Sequence, residues 1–306
     1  MEKIGHKEVR RALTGPVPSI STPFKKDGSI DYNSLCNLID FLIDAGSKTI
    51  MLTAGDSHYI CMSEKEIAEV TKVVVNHTAK RAMVIAADRY YNTKQAVEFA
   101  QYVHSIGADI LMVMPPDWAH SCTPETLSEH YTQVSQHIPV MIVTNVFIAR
   151  GMDFGLKTLK LTLNKADGVV AIKDDFCGEF ARKMGLLVHD KWAVISGGQK
   201  QNHLNIHPYG CDGYLSTFIS FKPEITHQYW TAIKKNDEKK AAQIIETYDM
   251  PFFDLIGSFT GKFDAGKHGA LELFGVAKRW RRSPYHSLND KEMEKLADFF
   301  KQKSLL

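Results

Sequence analysis

Lys173 is the residue of this 306-residue chain whose type and position most directly offer chemistry. It stands at the polar end of the apolar run Val169-Val170-Ala171-Ile172 and is followed at once by Asp174 and Asp175. A run so uniformly apolar reads as a strand buried on both faces, the kind found in parallel sheets wrapped by helices. A lysine there has an ordinary reading, with its stem on apolar surface and its ammonium in water or on an aspartate. It also has a chemical one. Taking an ammonium out of water favours the neutral amine, and a neutral amine attacks a ketone to form an imine, or Schiff base. The rest of the chain decides between the two.

Short apolar runs alternate with longer amphipathic stretches over most of the sequence. Strand-like runs fall at Val17 to Phe24, Thr49 to Thr53, Met83 to Ala87, Ile110 to Met114, Val140 to Thr144, Val169 to Ile172, Ala193 to Ser196 and Tyr214 to Ser216. Helical periodicity separates them. Tyr32 to Ala45 places Leu35, Leu38, Ile39, Leu42 and Ile43 on one face and stops at Gly46, and Ser63 with Glu66 has capping-box spacing before the next helix. Eight such βα units predict a (β/α)8 TIM barrel over residues 1–223. After Pro223 the strands stop, and Glu224 to Lys234, Glu238 to Met250, Lys267 to Lys278 and Asp290 to Lys303 predict a C-terminal helical extension over residues 224–306.

Bulk composition excludes several classes. The 37 Lys and Arg against 35 Asp and Glu give a net charge of +2, which offers no electrostatic case for nucleic acid or an anionic membrane. Five scattered cysteines without C-x-x-C spacing read as free thiols, and no segment approaches a membrane span or a signal peptide. The expectation is a soluble cytoplasmic protein. His203 and His207 have i, i+4 spacing, but no carboxylate completes a metal set. The basic cluster Lys278-Arg279-Trp280-Arg281-Arg282 reads as a solvated helix end or a subunit contact.

Barrel enzymes carry their chemistry at the C-terminal ends of the strands. Those ends bring together Thr22-Pro23-Phe24, Thr53-Ala54-Gly55-Asp56, Asp88-Arg89-Tyr90, Pro116-Asp117-Trp118, Thr144-Asn145, Lys173-Asp174-Asp175, Ser196-Gly197-Gly198 and Leu215-Ser216-Thr217. Small hydroxyl residues and glycines around one lysine suit a small polar molecule whose carboxylate needs backbone N–H donors.

Thr22 to Asp31, Asp44-Ala45-Gly46, Thr53 to Ser57, Gly168 to Asp174, Ser196-Gly197-Gly198 and Gly210-Cys211-Asp212-Gly213 resemble, in order over nearly the whole chain, the dihydrodipicolinate synthase and N-acetylneuraminate lyase family. That family comprises Schiff-base aldolases built on a (β/α)8 barrel. The resemblance implies that Lys173 forms an imine with pyruvate or another 2-oxo acid, with no metal or other cofactor. It implies that Thr53, Ala54, Gly55 and Asp56 stand at the carboxylate-binding motif, where the family has Gly-Thr-Thr-Gly-Glu. Ser196, Gly197 and Leu215 become further substrate contacts, and a homodimer or homotetramer is the expected assembly.

The departures are as informative. The family's strand-five Tyr-Asn, whose tyrosine relays protons, is Thr144-Asn145 here, and its tyrosine pair after strand four is Pro116-Asp117. A threonine hydroxyl is shorter than a phenol and titrates far above it, so Thr144 is at most an assisting catalytic group. Asp117, Tyr59, His58 and Tyr90 are candidates for the relay, and Arg150 for the second substrate's carboxylate. The expectation is an aldolase or dehydratase acting on pyruvate or another 2-oxo acid, one from sugar-acid breakdown for example, with an aldehyde as potential co-product. A catalytically silent relative that binds a 2-oxo acid as sensor or scaffold is the alternative.

Overall fold

The computed structural model describes residues 5–306. Eight parallel strands form its centre: β1 (Gly15–Val17), β2 (Thr49–Met51), β3 (Met83–Ala87), β4 (Ile110–Val113), β5 (Val140–Val143), β6 (Val169–Asp174), β7 (Ala193–Ser196) and β8 (Gly213–Leu215). They pair in the order β1-β8-β7-β6-β5-β4-β3-β2, and a parallel bridge from Ser19 to Met51 joins the two ends of the sheet. The result is the (β/α)8 barrel. Every residue of β2 to β8 is buried, because side chains on one face fill the barrel and those on the other meet the helices.

The first strand is shorter than its sequence predicts. Pro18 and Pro23 lack the N–H that a ladder requires, so only Gly15–Val17 pairs continuously. Beyond it, Phe24 bridges Ile30 around a turn. The helices follow the sequence closely. Tyr32–Asp44 is capped by Asp31 and buries Leu35, Leu38, Ile39 and Leu42. Ser63 and Glu66 form the capping box of Glu64–Thr78, and Arg282 from the C-terminal region adds a two-pronged ion pair to Glu66.

Helix His6–Leu13 buries Val9 and Leu13 and packs on β6 and β7, with Arg10 bonded to the carbonyl of Trp192, just before β7 begins. It covers the end of the barrel opposite the βα loops.

Helix Pro223–Lys234 packs on β1 and is tied to β8 through Ser216 and Thr226, 3.0 Å apart. It serves as the barrel's eighth helix, so the expected boundary at residue 223 falls on that helix's first residue. The next predicted helix, Glu238 to Met250, is in fact Glu238–Ile244, a π turn over Ile245–Asp249, and a further helix Met250–Ser258. Pro251 has no N–H to return to the carbonyl of Thr247, and the chain widens there. Helix Lys262–Leu273 begins earlier than its periodicity indicates, and Asp290–Gln302 closes the fold. No helix among the described residues is long and apolar enough to cross a membrane.

Candidate active site

Lys173 lies on β6 with Val143 of β5 and Ile195 of β7 beside it in register, and it is 7% exposed. Its Nζ donates a short hydrogen bond to Oδ1 of Asp175. The turn after β6 is built by Thr144 and Asp174. Thr144 Oγ1 accepts from the N–H groups of Asp175 (2.8 Å) and Phe176 (3.1 Å) and donates to Asp174 (3.2 Å). The Asp174 carboxylate also accepts from Cys177 N–H and the Asn202 amide. Burial raises its pKa and these bonds only partly offset that.

Thr144 therefore folds the turn that presents Asp175; its hydroxyl is spent on that turn, away from any cavity. Ser196 is likewise spent, its hydroxyl accepting from Asn202 at 2.8 Å. Gly197 has a different reason for its identity. A Cβ there would lie 2.9 Å from Lys173 Nζ and collide with the Asp175 carboxylate, so only glycine leaves the pair room.

A cavity of about 220 Å³ adjoins Lys173 and Asp175 and is also lined by Thr53, Ala54, Gly55 and Asp56. In this loop Thr53 N–H donates to Ser57 Oγ (3.1 Å) and Asp56 N–H to Thr53 Oγ1 (3.0 Å). The N–H groups of Ala54 and Gly55 have no partner among the described residues. Two unpaired donors in succession, with a threonine hydroxyl beside them, are a donor set of the kind that suits an anion. Asp56 faces the other way. Its carboxylate accepts from Ser19 and lies 3.4 Å from the ammonium of Lys267, a buried residue of helix Lys262–Leu273 that also bonds Ser19 Oγ at 3.0 Å. Burial pushes Asp56 upward, but Lys267, Ser19 and Lys173 outweigh it and hold the carboxyl below its usual range.

Leu215, Asn145 and Tyr90 border the same cavity. Tyr90 is 45% exposed and sits at φ +54°, a backbone conformation unusual for a tyrosine, and neither its hydroxyl nor the Asn145 amide is bonded to a described residue.

The other relay candidates are elsewhere. Asp117 and Arg150 pair with each other at 2.6 Å, and Arg150 also holds the Cys122 carbonyl and lies over Phe154. Their charges cancel outside the cavity, which corrects the expectation that both face substrate. Tyr59 is buried against Thr71 at 3.2 Å. His58 bonds Asp264 at 2.8 Å and stacks on His268 of helix Lys262–Leu273. Burial drives the His58 pKa down to about 3. His58, Asp264 and His268 come close enough to share a metal, yet the Asp264 carboxylate is already ion-paired with Arg281. His203 and His207 bond Tyr229 and the Cys211 carbonyl respectively.

Two larger clefts, of about 550 and 680 Å³, lie at the N-terminal ends of the strands and along helix Pro223–Lys234. Neither adjoins Lys173. Sequence reasoning offered Lys173 a neighbouring aspartate as partner but did not name Asp175 as a site residue. It also missed Asn145 as a cavity group and Lys267, which carries no sequence signal linking it to residues so far upstream.

Comparison with known proteins agrees with this geometry. A profile of the dihydrodipicolinate synthetase family matches residues 12–303. The chain is 26% identical over 298 residues to 4-hydroxy-tetrahydrodipicolinate synthase of Lachnoclostridium phytofermentans, covering 96% of this chain and 99% of that one. It is 30% identical over 237 residues to the same enzyme of Nitrosomonas europaea, covering 76% and 79%. In fold it is similar to N-acetylneuraminate lyase of Fusobacterium nucleatum, with a TM-score of 0.81 at 18% identity over 95% of this chain and 97% of that one. The chain, matched from residue 12 to 303, belongs to the dihydrodipicolinate synthetase family of lyases.

Proposed function

We propose that the protein is a class I lyase that forms an imine between Lys173 and the ketone of pyruvate or another 2-oxo acid. The observation that carries this reading is the buried Lys173 amine, bonded to Asp175 and sharing one small cavity with two unpaired N–H donors. The similar Fusobacterium nucleatum lyase is solved in complex with pyruvate, which supports the choice of acid.

In the proposed mechanism the substrate carboxylate sits on the N–H groups of Ala54 and Gly55 and the Thr53 hydroxyl, directing C2 toward Lys173. Asp175 takes one ammonium proton, the amine adds to C2, a second nitrogen proton passes to the oxygen to give the carbinolamine hydroxyl, and Asp175 returns its proton to that hydroxyl, which leaves as water. The iminium then accepts electrons from the neighbouring bond. Asp175 thus replaces the missing strand-five tyrosine on the imine side, and Tyr90 serves the far side of the cavity. The protein assembles as a homodimer or homotetramer in this proposal, and gel filtration with light scattering tests that part.

The test is reduction with borohydride in the presence of pyruvate, followed by intact mass. A stable adduct that disappears in Lys173→Ala supports the imine; no adduct across a panel of 2-oxo acids sinks it. The missing relay tyrosine favours one second reading, a binder that forms the imine without turnover. It is distinguished by an adduct accompanied by no pyruvate release from any 4-hydroxy-2-oxo acid and no condensation with any aldehyde.

A further inference from the structure

The cavity is two-sided. Its polar end is the Thr53–Asp56 loop with Lys173 and Asp175, all committed in the proposed mechanism to the carboxylate and the imine or to the loop itself. The remainder is walled by Ile60, Met112, Met114, Val143 and Leu215, with Tyr90 and Asn145 as the other polar side chains. No guanidinium reaches it, since Arg150 is held by Asp117 and the Cys122 carbonyl, and Thr144 is turned into the turn after β6.

Resting on the lyase reading above, we infer that the substrate is a short 4-hydroxy-2-oxo acid whose substituent beyond C4 is apolar, and that the aldehyde product is apolar too. A polyhydroxylated sugar acid would place hydroxyls against methionine and aliphatic walls. A hydrophobic wall of this kind disfavours each added hydroxyl by up to about 100-fold. The volume of about 220 Å³ lies below the roughly 300–1,000 Å³ usual for drug-sized ligands, which points to a short chain.

The cleavage balances within the cavity. Imine formation at C2 releases one water. The C4 hydroxyl then gives its proton to the Asp175 carboxylate, directly or relayed through the Tyr90 hydroxyl, the C3–C4 bond breaks, and its electrons pass into the iminium to leave an enamine and a free aldehyde. C3 is reprotonated, and one water hydrolyses the imine to pyruvate and the lysine amine. No oxidant or reductant enters.

The experiment compares kcat/KM for pyruvate release from 4-hydroxy-2-oxopentanoate and from 2-oxo-3-deoxygluconate, with borohydride trapping of pyruvate in parallel. The inference expects a preference of at least about 100-fold for the pentanoate. Equal or reversed preference, or an adduct with cleavage of neither, overturns the inference and leaves the imine standing. Absence of any adduct overturns the lyase reading and the inference with it. Met114→Gln, which puts an amide into the wall, should shrink the preference about tenfold, a modest share of what one hydroxyl-matched contact is worth. Both rates come from one sample, so the ratio is independent of how much variant is folded, and an unchanged ratio overturns the assignment of the wall.

Discussion

Lys173–Asp175 and Lys200–Asp249 are both lysine–aspartate pairs with a buried ammonium, and of these two only the first adjoins the small cavity. Lys173 and Asp175 lie at the barrel mouth, where the Asp175 carboxylate accepts from Lys173 alone among the described residues. Lys200 and Asp249 are sealed between helix Gln199–Ile206 and the π turn of the C-terminal region, at 1% and 0% exposure. There the ammonium contacts both carboxylate oxygens, at 2.8 and 3.0 Å, and lies 4.6 Å from the ring centre of Phe218. Burial and a counter-ion are common to both. What differs is that Lys200 has no room for a carbonyl and Lys173 does, so space beside the amine, more than its desolvation, separates a structural lysine from a candidate nucleophile.

The comparison breaks first at Lys173. Lys173→Met should abolish the borohydride adduct and turnover while the protein still melts cooperatively; an adduct of undiminished yield would show that another amine does the chemistry. Asp175→Asn should slow turnover by roughly 100- to 10,000-fold, the usual loss for a positioned acid or base. Single-turnover kinetics with pyruvate should locate that loss in imine formation, and a rate within a few-fold of the parent removes Asp175 from the mechanism.

At the sealed pair the loss should be in stability. Lys200→Met leaves a bare buried carboxylate and should cost about 3–5 kcal/mol in urea unfolding, while the joint change Lys200→Met with Asp249→Leu should recover most of it. A single variant as stable as a surface lysine change would dissolve the contrast.

A buried carboxylate without any lysine sharpens the comparison further. Asp88, at the end of β3, accepts from Met114 N–H at 2.7 Å, and its second oxygen has no partner. Burial pushes its pKa well above the usual range against that one opposing bond. In the unfolded chain the group loses its proton near about pH 4. The folded form keeps it longer, so the stability it contributes is complete at lower pH and is lost as pH rises toward the folded pKa. Asp88→Asn needs no proton, and its stability relative to the parent should grow by about 1.4 kcal/mol per pH unit over that window. Melts at pH 5 and pH 8 that differ equally for both proteins would contradict the assignment.

Much of the fold was legible because periodicity and caps are local. Leu35, Leu38, Ile39 and Leu42 face inward as their spacing requires, and Ser63 with Glu66 forms the box that their spacing announces. Two of the misjudged ends lie at prolines, Pro18 and Pro251, whose missing N–H groups shorten one strand and widen one helix. At the site, Lys173 and the Thr53–Asp56 loop were legible because strand ends must meet in a barrel. The destination of each hydroxyl or charge was not. Thr144 turns to the N–H groups of Asp175 and Phe176, and Arg150 to Asp117, choices made by loop geometry that a linear pattern does not encode.

Lys267 holds Asp56 and Ser19 across sequence separations of 211 and 248 residues. Contacts this remote form late, since the chain between them must be ordered before they reward its ordering. During synthesis at about 5–20 residues per second, the loop that ends in Asp56 waits roughly 10 to 40 s for the lysine that secures it. A ribosome-bound chain can thus possess all eight strands and Lys173 and still lack a secured Thr53–Asp56 loop, so that the finished cavity arrives with the C-terminal helices and not with the barrel.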